Sequence, residues 1–99
     1  MNIQTLNKET LNHLGIRTFS PSMALAGLMS ETGELADAIA RNFKWKKTKP
    51  GDKEISDSDI ALEIADVMVY LCQIADFYDI DIEEAHRIKC KILKERYDV

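Results

Sequence analysis

Two acidic pairs carry the chemistry open to this sequence. Glu31-Thr-Gly-Glu34 and, farther along, Glu63-Ile-Ala-Asp66 each set two carboxylates three residues apart. On a helix such residues lie about 60° apart around the axis with Cβ atoms about 5–6 Å from each other, close enough to share one cation. Tyr70 and Gln73 continue the second stripe, and Gly27 sits one turn before Glu31, where it leaves room. Both stripes border the apolar face of their helix. If the two helices run antiparallel, four carboxylates converge at the edge of the core. Partly desolvated like charges repel and raise one another's pKa, so such a cluster calls for a counter-charge. All-oxygen ligands favour a hard divalent ion, Mg²⁺ with retained waters, for which Mn²⁺ can substitute. A di-iron centre is disfavoured, because its Glu-x-x-His pairs are missing from both acidic motifs: His13 and His86 stand outside them.

The elements that must position these groups are helices. Ile3, Leu6, Leu11 and Leu14 followed by Gly15 predict a short first helix over 3–14 with a glycine stop. Ser20-Pro21 is a cap followed by proline at the first helical position, so a second helix is predicted from there to about Phe43, burying Ala24, Leu28, Leu35 and Ile39. Residues 44–58, with Pro50-Gly51, read as one long loop. A third helix is expected from Ser56 or Ser58 to about Tyr78 on the stripe Ile60, Ile64, Val67, Leu71 and Ile74. Asp81 with Glu84 resembles a capping box opening a fourth helix, with Ala85, Ile88, Ile92 and Leu93 inward. With no strand pattern, the fold class is all-α: a short N-terminal helix and three longer ones forming a bundle completed by oligomerisation.

Composition is consistent with this. The 99 residues suit one domain over 1–99, and 45% hydrophobic with 30% charged residues excludes disorder and low-complexity classes. A net charge of −4 argues against nucleic acid or anionic membrane as partner. The first residues lack the pattern of a signal peptide and no long apolar run exists, so a cytoplasmic protein is expected. Cys72 and Cys90 fit neither a disulfide framework nor a metal-ligand spacing and read as buried or incidental thiols.

Taken together, Glu31-Thr-Gly-Glu34-Leu and Glu63-Ile-Ala-Asp66-Val resemble the two halves of the site in the MazG-like nucleoside triphosphate pyrophosphohydrolases, an all-α superfamily that includes dimeric dUTP and dCTP pyrophosphatases. The resemblance covers roughly residues 19–97 and extends to Ile-Asp-Ile-Glu-Glu-Ala at 80–85, Lys89 and Arg96-Tyr97. It implies Mg²⁺-dependent cleavage between the α and β phosphates, releasing a nucleoside monophosphate and pyrophosphate. It assigns Glu31, Glu34, Glu63 and Asp66 to the metal, with Glu31 or Glu34 as the base, and Lys89 and Arg96 to phosphate. Tyr70 is similar to a substrate-contacting tyrosine of dCTP-cleaving relatives. Leu93 and Met23 stand where such relatives often carry Asn, and Phe43-Lys44-Trp45 lies one turn farther from the acidic motif than their Phe-Gln-Trp. These departures weaken an assignment to the dUTP- or dCTP-specific branches.

Residues 41–49 hold Arg41, Lys44, Lys46, Lys47 and Lys49 with no acidic residue, a local reserve of positive charge in an acidic chain. Lys44 and Lys47 are expected to hold triphosphate and Trp45 to stack on the base. A homodimer or homotetramer is expected, with Phe19, Leu25, Met29, Phe43, Met68 and Phe77 as contacts. The competing reading is a non-enzymatic helical module that binds metal or a partner, but a scaffold has no need of Glu63 and Asp66 beside the core. Gly33 weakens its helix by about 1 kcal/mol relative to alanine, and close helix packing is its expected return.

Overall fold

The structure, a computed structural model, describes residues 2–17, 20–43, 51 and 53–97. Among these residues there are four helices and no strand: α1 (Ile3–Leu14), α2 (Pro21–Asn42), α3 (Asp57–Phe77) and α4 (Ile82–Arg96). Local chemistry sets each boundary. Asn2, Ser20, Ser56 and Asp81 are the N-caps, each side chain accepting the N–H three residues on. Pro21 occupies the first turn of α2, where its missing N–H costs nothing. Ser56 and Asp59 form a reciprocal capping box at α3. At α4 only the forward bond from Glu84 N–H to Asp81 is observed, and the Glu84 carboxylate pairs with Arg87. Gly15 ends α1 in the left-handed region at φ 71°, while Asp79 takes φ 56° in the α3–α4 turn. There Ile80 N–H reaches Ala75 O and Asp79 N–H reaches Asp76 O, a Schellman closure.

Helices α2 and α3 form the main packed pair. They run antiparallel: Gly27 meets Tyr70, Glu31 faces Asp66 and Glu63, and Asn42 Nδ2 donates to Ile55 O at 2.9 Å. The close approach at Gly27 is obligatory, because a Cβ there would run into the Tyr70 ring. Gly33 is different. Nothing lies within 4 Å of a Cβ built on it, so the expectation that it permits close helix packing is corrected.

Helix α1 lies along α3, tied by Asn7 Nδ2 to Val69 O and by Gln4. Gln4 Nε2 donates to Asp76 Oδ1 and Ile80 O, both at 2.7 Å, and its Oε1 accepts from Ile82 N–H at 2.8 Å. One side chain therefore joins α1, the end of α3 and the start of α4.

Among the described residues those that are buried are small: Ala24, Ala38, Cys72 and Ala75. Leu28, Leu35, Ile39, Ile60, Val67 and Ile74 are half-buried, whereas Ile64 and Leu71, on the same stripe of α3, are exposed. Helix α4 buries no residue, so the inward assignment of Ala85, Ile88, Ile92 and Leu93 does not hold within one chain. Its apolar stripe is present, but no helix of the same chain packs over it to a comparable extent. The radius of gyration of 16.5 Å exceeds the roughly 13 Å of a compact domain this long for the same reason. Among the described residues no helix is long and apolar enough to cross a membrane.

Candidate active site

Antiparallel pairing brings the two acidic stripes together. Glu31, Glu63 and Asp66 each offer a carboxylate oxygen, and the three oxygens lie within 4.8 Å of one another. Glu31 and Glu63 are half-buried, and each has an Oε2 atom out of solvent with no hydrogen-bond partner, while Asp66 is exposed. Burial pushes the Glu31 carboxyl above its ordinary value, and the neighbouring Glu34, then Asp66 and Glu63, add to the shift. Glu63 is raised likewise by burial, with repulsion from Glu34, Asp66 and Asp59. Three carboxylate oxygens this close together would be able to hold one hard divalent cation such as Mg²⁺. Two orphaned acceptors and mutual repulsion are what a hard cation would relieve; the residues present fit the group.

Glu34 stands outside the triangle. It is exposed, close enough to Glu31 and Glu63 to raise both, and it lines the groove beside them. The four-carboxylate cluster expected from the spacing is thus three converging groups with Glu34 as their neighbour.

That groove, of about 520 Å³, runs along α2 past Gly33, Glu34, Asp37 and Arg41, with Glu63 and Ile55 opposite. Arg41 Nε lies 3.0 Å from Asp37 Oδ2. Sequence reasoning grouped Arg41 with the lysines that follow it and assigned Asp37 no role. The signal was there in the three- and four-residue spacing from Gly33 and Glu34 through Asp37 to Arg41, which makes one helical stripe.

Tyr70 is half-buried with its ring against Gly27, and it does not line this groove. Lys89 and Arg96 are exposed on α4 and do not line it either. Lys44, Trp45 and Lys47, like Phe19, lie outside the described residues.

The MazG nucleotide pyrophosphohydrolase domain matches residues 19–98. The chain belongs to this family. The match spans both acidic pairs and most of the fold, so a MazG domain accounts for α2, α3, α4 and the connections between them. Two relatives from Bacillus subtilis (strain 168) are the uncharacterized protein YvdC, 27% identical over 95 residues covering 92% of this chain and 89% of that protein, and the uncharacterized protein YpjD, 39% identical over 70 residues. The YpjD match covers 69% of this chain and 59% of YpjD, so the chain spans well under two thirds of that relative. Among solved structures, iMazG from Vibrio DAT 722 shares the fold with a TM-score of 0.58 at 24% identity, over 95% of this chain and 99% of that one.

Proposed function

We propose that this MazG domain is a Mg²⁺-dependent nucleoside triphosphate pyrophosphohydrolase that cleaves between the α and β phosphates, giving a nucleoside monophosphate and pyrophosphate in nucleotide pool house-cleaning. The observation that carries this reading is the triangle of Glu31, Glu63 and Asp66, whose oxygens lie within 4.8 Å of one another beside an open groove. These three would hold the metal. When bound, Mg²⁺ supplies charge that neutralises phosphate oxygens and lowers the pKa of water. Glu34, outside the triangle and on the groove wall, is the better placed of the two candidate bases: it can orient the attacking water and accept its proton, while Glu31 is engaged as a ligand. Lys44, Trp45 and Lys47 in the connection after α2 are proposed substrate contacts.

The domain acts as a homodimer or homotetramer in the cytoplasm. Leu25, Met29, Phe43 and Phe77 are all large, apolar and exposed, with Met29 at 69%, and Met68 is half-buried; these are the proposed contacts. A second copy would also give Lys89 and Arg96, which do not line the groove of their own chain, a route to phosphate.

The test is product identification. Incubated with Mg²⁺ and a panel of normal and modified nucleoside triphosphates, the protein is expected to release pyrophosphate and monophosphate. Asp66→Asn is expected to lower the rate by more than about a hundredfold, since even residues one shell beyond a metal's ligands cost 10–100-fold. Glu31→Gln should raise the melting temperature of the metal-free protein by removing a repelling charge, and abolish the further rise that Mg²⁺ or Mn²⁺ gives the unsubstituted protein. Release of orthophosphate, or no turnover of any triphosphate, defeats the assignment.

A further inference from the structure

Gly27 and Gly33 lie on one helix under opposite constraints. Gly27 is required by packing, because any side chain there would strike Tyr70. At Gly33 a Cβ would meet nothing within 4 Å, so the fold gives no return for placing one of the poorest helix formers in mid-helix. What its missing side chain does leave open is the groove wall beside Glu34. The same wall continues one turn on to Asp37, whose Oδ2 holds Arg41 Nε at 3.0 Å. Helical side chains lean toward the N-terminus, so Arg41, seven residues beyond Glu34, is drawn back over the Asp37 turn. Asp37, which holds the guanidinium, stands six residues beyond Glu31, about 9 Å along the helix axis from the carboxylate triangle.

We infer that this groove is the subsite for the terminal phosphate of the substrate: Gly33 lets the phosphate chain lie against α2, and Arg41, oriented by Asp37, grips the last phosphoryl group. The inference rests on the pyrophosphohydrolase reading of the carboxylate triangle. If the bond to be cleaved sits at the triangle, a group held that far along the groove meets the outer end of an extended triphosphate, which a diphosphate lacks. A guanidinium is suited to that end because its planar fork matches phosphate oxygens in pairs. Arg41 thus makes the site select triphosphates over diphosphates.

The experiment compares binding of an α,β-methylene nucleoside triphosphate and the matching α,β-methylene diphosphate, with Mg²⁺, by calorimetry. The unsubstituted protein is expected to prefer the triphosphate analogue. Arg41→Met should weaken that analogue about tenfold to a hundredfold, the worth of charged hydrogen bonds, and leave the diphosphate within about threefold. Gly33→Leu should weaken the triphosphate analogue at least about tenfold while the melting temperature stays the same or rises, which a merely structural glycine would not allow. Equal loss for both analogues in Arg41→Met, or no loss, overturns the role of Arg41; unchanged binding in Gly33→Leu overturns that of Gly33. No binding of either analogue by the unsubstituted protein overturns the subsite as a whole. Because no turnover is needed, a protein that binds the triphosphate analogue selectively but releases no pyrophosphate from true substrates defeats the proposed reaction and leaves the subsite standing.

Discussion

Helices α2 and α3 and helix α4 obey the same local rules and end in opposite situations. All three start on capped N-termini, and all three carry an apolar stripe at helical spacing. The first two find each other, carry the buried residues Ala24, Ala38, Cys72 and Ala75, and align two acidic pairs as a consequence. The third is tied at its first turn by Gln4 and otherwise leaves Ile88, Ile92 and Leu93 at 49%, 41% and 37% exposure. A site that needs two helices is therefore assembled within one chain. A helix that needs a third surface finds none of comparable extent among the described residues of its own chain.

The sharpest way to break this contrast is to charge the unpartnered stripe. Burying an isoleucine is worth about 1.5–3 kcal/mol, so Ile88→Glu with Ile92→Glu should weaken association by more than a hundredfold, about 3 kcal/mol or more. The double variant is expected to run as a monomer by light scattering at micromolar concentration and to keep its helical circular dichroism. An unsubstituted protein that is itself monomeric, or a double variant that associates as before, would show that α4 needs no covering.

Within the paired region the largest effect is expected at Gly27. Adding a methyl group there forces the Tyr70 ring to move, and such overpacking costs typically 1–3 kcal/mol, against about 1 kcal/mol returned by alanine's better helix propensity. Gly27→Ala should therefore lower the melting temperature by several degrees, at roughly 4–8 °C per kcal/mol for a chain of this size. Replacing Tyr70 with leucine in the same chain should recover most of the loss. If Gly27→Ala is as stable as the parent, the approach of α2 to α3 at this point is looser than the ring contact implies.

What could be read beforehand follows the same division. Caps at Ser20, Ser56 and Asp81 and the stop at Gly15 depend on neighbours a few residues away, so the sequence states them directly. The antiparallel pair was legible because two acidic stripes beside two apolar faces leave few other ways to meet. The exposure of α4 was not, since periodicity says that a face must be covered and is silent on which chain covers it. Gly33 was misread because a helical glycine has two different uses, contact with another helix and clearance for something else, and spacing cannot tell them apart. Arg41 was hidden by composition: counted with Lys44 to Lys49 it belonged to a charge run, whereas on the helix it belongs with Glu34 and Asp37.

The smallest expected effect sharpens the comparison at the start of α3. The Asp59 carboxylate accepts from Ser56 N–H at 2.9 Å and from the Ser56 hydroxyl at 3.0 Å, and Lys53 Nζ stands 3.4 Å away. These bonds, the Ser56 backbone N–H foremost, hold Asp59 below its ordinary value of 3.8. A group held low in the folded chain binds its proton more readily when unfolded, so its contribution is complete above 3.8 and disappears as the pH falls through the native value. Asp59→Asn keeps an acceptor-bearing side chain but not the charge. The difference in urea midpoint between Asp59→Asn and its parent should be steady near neutral pH and narrow in the acid range below 3.8. Asp59 also repels Glu63, so the variant relieves part of the strain on the carboxylate triangle while it loosens the cap. A midpoint difference that persists or widens in acid would mean that the charge contributes little, and that neutral cap bonds alone set where α3, and with it Glu63, begins.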